Sequence, residues 1–239
     1  MIWDKFKDQF HESWHDKMRP FIESEECDKI YAHLKERSKK GHSIAPLSIN
    51  TFRAFRETPL TDLKVIMMGM CPYHTAKNGI PVADGLLMGC SITEMLQPSL
   101  DKFYDGVEKE LHNGLNLHYT KTPDVSYLAK QGVLMINAAL TTEINKPGSH
   151  IAIWEPFVKY LFENVVPYEG APIIFLGKDA GKYKKYTPPL SWSFVVSHPA
   201  SAAYKNTDWN TEGVFGKVNN ILKQNNNFTI NWLDEEPPF

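Results

Sequence analysis

Phe6, Phe10, Trp14 and Met18 recur at every fourth position, the spacing of one face of an α-helix. Ile30 and Leu34 carry the same pattern into a second predicted helix. After about residue 60 the pattern changes to short runs that are apolar throughout. Val65-Ile66-Met67-Met68 ends at Gly69, and Gly132-Val133-Leu134-Met135-Ile136 ends at Asn137. Ile173-Ile174-Phe175-Leu176 ends at Gly177, and Phe194-Val195-Val196 ends at Ser197-His198-Pro199. A strand with one wet face alternates; a run without polar positions predicts a strand covered on both faces of a parallel sheet. Helical faces lie between the runs. Leu100, Phe103, Tyr104, Val107 and Leu111 form one, opened by Pro98-Ser99. Phe157, Val158, Leu161, Phe162 and Val165 form another, and a last helix covers about residues 214–222. The tail after Asn225 is polar, reaches Pro237-Pro238, and is predicted to pack loosely. The alternation predicts one α/β domain, a central four-stranded parallel sheet flanked by helices. Its parts are an N-terminal helical segment (1–60), an α/β core (61–224) and a C-terminal tail (225–239).

The 239 residues are 42% apolar and 23% charged, as in ordinary soluble globular chains, and suffice to bury a sizeable core. No apolar run approaches the roughly 20 residues of a membrane span. Met1-Ile2-Trp3-Asp4-Lys5 lacks the basic-then-apolar order of a secretory signal. Cys27, Cys71 and Cys90 have no paired spacing, so free thiols in a reducing cytoplasm are expected. Histidines and cysteines form no ligand-spaced cluster, so no metal is expected; His112 and His118 read as surface or turn residues. A monomer that does not engage membranes is expected.

A formal net charge of −2 lacks the basic excess of many nucleic-acid-binding domains. A local patch, rather than the total, decides such binding. Lys178, Lys182, Lys184 and Lys185, interleaved with Tyr183 and Tyr186, could form one, a solvated face being the plainer reading.

Sheets of this type place ligands at the carboxyl ends of their strands, and the unusual residues cluster there. Cys71-Pro72-Tyr73-His74 follows the first strand, Asn137 ends the second, Gly177-Lys178 the third, and His198-Pro199 the fourth. Four loops at one sheet edge are predicted to converge on one pocket.

From about Pro59 to Leu222 these segments resemble, in order and spacing, the family 1 uracil-DNA glycosylases. Gly69-Met70-Cys71-Pro72-Tyr73-His74 is similar to the family's water-activating loop, usually Gly-Gln-Asp-Pro-Tyr-His. Asp84-Gly85-Leu86-Leu87-Met88 resembles the segment that ends in a base-stacking Phe. Gln97-Pro98-Ser99-Leu100 resembles a phosphate-contacting loop, and the stretch from Gly132 to Thr141 resembles the one carrying a base-reading Asn. His150 to Phe157 matches a further family stretch. Gly177-Lys178 takes the place of a Gly-Ser phosphate loop, and His198-Pro199-Ala200-Ser201-Ala202 that of the wedge loop His-Pro-Ser-Pro-Leu. Met70 and Asp84 are closest to phage-like versions of the family.

The resemblance implies a DNA partner, single-stranded or duplex, from which a nucleotide is extruded at a cost of about a few kcal/mol. It implies no cofactor. Cleaving the glycosidic bond leaves negative charge on the departing pyrimidine, and His198, working neutral, is implied as the donor that stabilises it. Asn137 can both donate to and accept from the edge of uracil. Tyr73 is implied to exclude a 5-methyl group. Met70 and Met88 are implied to complete the base pocket. Ser99, Gly177, Lys178, Ala200, Ser201 and Ala202 are implied to contact DNA, and His74 the loop or a phosphate.

Three departures change what is expected. Cys71 stands where the family has Asp, and a thiol, with a reference pKa near about 8.5 against about 3.9, is mostly neutral at pH 7. Met88 replaces a flat ring, which implies a pocket less exact for planar uracil or shaped for a larger base, plain core filling being the alternative. Ala202 replaces an apolar wedge, so single-stranded or disturbed DNA is expected to be preferred. The leading reading is a monofunctional glycosylase with uracil as the default substrate. The alternatives are a glycosylase for a 5-substituted pyrimidine in phage DNA, and a weak or inactive DNA- or partner-binding homologue.

Overall fold

The computed structural model describes residues 2–113, 119–166, 170–189 and 191–234. His118, Pro237 and Pro238 lie outside the described residues. Helices α1 (His15–Ile22) and α2 (Glu25–Lys39) precede the sheet. There follow β1 (Val65–Gly69), α3 (Pro98–His112), β2 (Val133–Asn137), α4 (Ile151–Tyr160), β3 (Ile173–Leu176), β4 (Ser193–Val196), α5 (Pro199–Lys205) and α6 (Val214–Asn226). The four strands make one sheet in the order β2-β1-β3-β4, every pair parallel. Every residue of β1, β2 and β3 is buried, which is why these runs contain no polar position apart from Asn137 at the end of β2.

β4 departs from the expectation of two covered faces. Its Ser193 and Phe194 are half-buried and Val195 is 41% exposed. It is an edge strand with one neighbour, and an apolar run does not reveal a strand's place in the order.

The four-residue repeat at the N-terminus does not give one helix. Phe10 and His11 adopt extended backbone, with ψ of 145° and 146°, so short turns precede α1. The His11 imidazole caps the break by accepting the Ser13 N–H at 3.3 Å, while the His11 N–H donates to the Phe55 carbonyl at 3.1 Å. The repeat still marks the inward face, since Phe10, Trp14 and Met18 are buried. Trp14 Nε1–H donates to the Thr58 carbonyl at 2.7 Å, and Phe21 packs edge-on against Phe157 of α4. The N-terminal helices therefore share one continuous core with the sheet.

The tail is also tighter than predicted. Ile230, Trp232 and Leu233 are buried. The Asn219 side chain closes a pair of hydrogen bonds with the Ile230 backbone at 2.9 and 3.0 Å, and the Trp232 ring meets Phe215 at 4.8 Å. Isolated apolar residues in a polar stretch carry no periodicity, so the sequence pattern missed them. Among the described residues no helix is long and apolar enough to cross a membrane.

Candidate active site

The loops at the carboxyl edge of the sheet enclose a cleft of about 730 Å³. The loop after β1 supplies Met70, Cys71, Tyr73 and His74 to its wall. The loop after β3 supplies Gly177, Lys178 and Asp179, and that after β4 supplies His198, Ala200 and Ser201. Met88 and Ser99 enter from two further segments. Asn137 is not among the residues lining this cleft. It ends β2 opposite Gly69, beside Leu87, which lines the cleft. A Cβ on Gly69 would lie 2.5 Å from Leu87 Cδ1 and 2.7 Å from Asn137 Oδ1, so only glycine lets both side chains approach there. Asn137 is 6% exposed, and its Oδ1 is buried with no hydrogen-bond partner among the described residues. An orphaned acceptor costs about 1–3 kcal/mol, which a donor on a bound ligand would recover.

His198 has a defined protonation state. The Ala200 backbone N–H donates to its Nδ1 at 3.0 Å. A backbone N–H can only donate, so Nδ1 accepts and the proton of the neutral ring resides on Nε2. Burial pushes the imidazole pKa down to about 4, because the cation is poorly solvated there. The cleft wall thus carries a neutral ring with one N–H to offer. Gly177, at φ 92°, occupies backbone space that favours glycine. A side chain there would lie 3.3 Å from His198 Cβ.

Cys71 is half-buried, and its thiol pKa is raised. Burial is the main cause, the charge of Asp179 adds to it, and a backbone hydrogen bond from Gly148 opposes both. Cys71 is therefore a neutral thiol at pH 7, neither a base nor a ready nucleophile.

Several donors expected to hold phosphates are already engaged inside the protein. The Ser99 hydroxyl shares a 2.7 Å hydrogen bond with the Tyr73 hydroxyl. The Ala200 N–H serves His198, and the Gly177 N–H donates to the Val196 carbonyl at 2.7 Å. The Ser201 hydroxyl donates to the His198 carbonyl at 2.7 Å. These groups shape the loops, because a strand end that turns sharply must satisfy its own polar atoms first. Ser99 thereby pins the Tyr73 ring. Lys178 is exposed at the cleft edge. His74 is half-buried, with Nδ1 buried and lacking a partner among the described residues. In the neighbouring basic run, Lys182 pairs with Asp179 at 2.5 Å and Lys185 with Glu155 at 3.1 Å. Local ion pairs thus consume much of that run.

Met70 is half-buried, and its carbonyl accepts the Ala139 N–H at 3.0 Å, joining the loops after β1 and β2. Met88 is 5% exposed at a φ of 60°. A non-glycine residue in that region costs roughly 1–2 kcal/mol and persists where its surroundings fix it. Here the fixing group is Asp84, wholly buried. Its carboxylate accepts from the Leu86 N–H at 3.0 Å and the Ser91 hydroxyl at 2.6 Å, and pairs with Arg53 at 2.8 Å. Leu87 N–H donates to the Met135 carbonyl at 3.0 Å, tying the segment to β2.

Ala202, expected at the DNA-facing lip, is instead 6% exposed and belongs to the core. The helical periodicity of α5 turns it inward. Tyr204, two positions on, lines the cleft and is 90% exposed. The sequence motifs also gave no role to Arg53 or Asp179. Arg53 lies outside the recognised segments, but Asp179 directly follows Gly177-Lys178, and its place at a strand end was a usable signal.

Residues 55–223 match the Uracil DNA glycosylase superfamily. The chain is 32% identical over 207 residues to a uracil-DNA glycosylase of Campylobacter lari, covering 85% of this chain and 86% of that protein. It is 32% identical over 225 residues to a uracil-DNA glycosylase of Pseudomonas aeruginosa, covering 92% and 93%. The fold is similar to the crystal structure of mimivirus uracil-DNA glycosylase, with a TM-score of 0.80 at 24% identity over 95% of this chain and 88% of that one. With the matched stretch running from the end of the N-terminal helices into α6, the chain belongs to the uracil-DNA glycosylase superfamily.

Proposed function

We propose that this protein is a monofunctional DNA glycosylase of the family 1 type that draws a pyrimidine nucleotide out of DNA and hydrolyses its N-glycosidic bond. Uracil is the default substrate. The observation that carries the reading is the Ala200 N–H donating to His198 Nδ1, which leaves a neutral Nε2–H donor at the wall of a cleft large enough for a nucleotide. As the bond breaks, the electron pair passes to the pyrimidine, and a donor near its oxygen stabilises that charge more than the ground state. Asn137, whose buried Oδ1 has no hydrogen-bond partner among the described residues, would read a base edge that offers an N–H once the Leu87 side chain beside it shifts. Water completes the reaction at the sugar carbon, leaving an abasic site.

The test is release of base from uracil-containing single-stranded and duplex DNA, read by alkaline cleavage at abasic sites. Release that disappears on removing His198 supports the reading. DNA binding without release from any base favours the second reading, an inactive DNA-binding homologue, for which the neutral Cys71 thiol is the supporting observation.

The pinned Tyr73 ring supports uracil over bulky 5-substituted bases. Tyr73→Ala is expected to permit measurable release of thymine, which wild type excludes, while uracil release falls by about tenfold. A discrimination of roughly 1–3 kcal/mol is what one methyl group confers in a fitted pocket. Equal rejection of thymine by both proteins would show that another group closes the 5-position.

Tyr204 is the exposed aromatic at the cleft lip and suits the role of an inserted side chain that offsets lost stacking. Tyr204→Ala should lower release from duplex by about tenfold and from single strands by less than twofold, compared under single-turnover conditions. An equal loss on both substrates would assign Tyr204 to binding the strand rather than to opening the duplex.

A further inference from the structure

Asp179 is the one carboxylate among the described residues of the cleft wall. It follows the turn at Gly177, at the end of the strand adjacent to β1, whose following loop carries Cys71. Its charge is felt at the Cys71 thiol. Both residues line the same cleft, Cys71 as a neutral thiol and Asp179 as the carboxylate. Lys182 holds Asp179 through Oδ1. A carboxylate accepts at both oxygens, so this contact leaves the second oxygen able to take a hydrogen bond from water.

We propose that Asp179 is the general base of this enzyme, in place of the carboxylate absent at position 71. The inference rests on the glycosylase reading above. Water adds its oxygen to the sugar carbon as the bond to the pyrimidine nitrogen breaks. The electron pair of that bond leaves with the base, the water proton passes to Asp179, and the proton returns through solvent to the released pyrimidine. No oxidant or cofactor enters the balance. Cys71 contributes shape, since a neutral thiol adds no like charge to the cleft. Lys182 orients the carboxylate, and the ion pair is solvent-exposed, with the Asp179 side chain 53% exposed. A base so exposed is less well placed than a buried one, so its removal costs less than the largest values known for positioned bases, about 10²–10⁴-fold.

The test compares wild type, Asp179→Asn, Cys71→Asp and the double variant on a single-stranded uracil oligonucleotide, with single-turnover rates and DNA affinity measured separately. Asp179→Asn is expected to lower the rate roughly tenfold while changing DNA affinity less than twofold. In the Cys71→Asp background the same change should cost less than twofold, because a carboxylate is again present at position 71. A rate within twofold of wild type for Asp179→Asn, or the same tenfold loss in both backgrounds, overturns the assignment and leaves the glycosylase reading intact. Absence of release by wild type overturns both.

Discussion

Replacing His198 with alanine is expected to lower uracil release by about 10²–10³-fold with little change in DNA affinity. That range is the loss from removing one donor that meets developing negative charge. The ring donates from Nε2 because Nδ1 is occupied by the Ala200 N–H, so the donor is aligned before substrate arrives and need not reorganise during bond cleavage. The pH profile gives an independent measurement. With its pKa near about 4, the imidazole is neutral from roughly pH 5 upward. Release should therefore show no rise or fall near pH 6.5 attributable to this histidine. Below about pH 4 the ring takes a proton on Nδ1, the Ala200 N–H loses its acceptor, and release should fall. The linkage has a definite sign. The folded pKa is below the unfolded one, so between about 4 and 6.5 the unfolded chain binds the extra proton and folding stability rises with pH across that window. A limb near pH 6.5 that vanishes in His198→Ala would show a freely titrating imidazole and refute the neutral-donor mechanism. An alanine variant with unchanged rate would remove His198 from catalysis altogether.

How far the sequence reached depends on which forces write a periodic pattern. Strands β1, β2 and β3 were legible because burial on both faces forbids polar residues along the whole run. α3 was legible from its single apolar face and Pro98 at its start. The break at Phe10 was not, because it is set by hydrogen bonds in which His11 accepts from the Ser13 N–H and donates to the Phe55 carbonyl, and the apolar repeat continues through it. The burial of Trp232 was hidden for the same reason: its partners Phe215 and Asn219 belong to α6, and a contact made only on folding leaves no spacing in the chain. At the site, the motif order located the loops but not the direction of each side chain. Ala202 shares a motif with His198, yet about half a turn of helix separates its inward position from that of Tyr204, which takes the lip. Ser99 and Ala200 were expected to serve DNA, while the folded loops need their polar groups for Tyr73 and His198.

Cys71→Asp is expected to raise uracil release by about 10²-fold. The thiol is neutral, held so by burial and by the charge of Asp179, so position 71 gives neither a proton acceptor nor a negative charge to the cationic sugar. A carboxylate has a reference pKa near about 3.9. Burial and Asp179 will raise it, as they raise the thiol, but the backbone hydrogen bond from Gly148 favours the charged form, and several units separate that reference from neutral pH. The gain should fall short of the full 10²–10⁴-fold of a positioned base, because wild type already has a carboxylate in Asp179 and because two negative groups in one cleft repel. That repulsion gives the prediction its own signature. The advantage of Cys71→Asp over wild type should shrink on acidification, as the inserted carboxylate takes up a proton. Thermal unfolding must be measured beside the rate, since an aspartate in a half-buried site costs stability when it is not solvated. A stable variant that binds DNA and shows no gain would mean that the loop after β1 does not present residue 71 to the sugar, and the alignment of water, sugar and His198 within this cleft would then have to be abandoned.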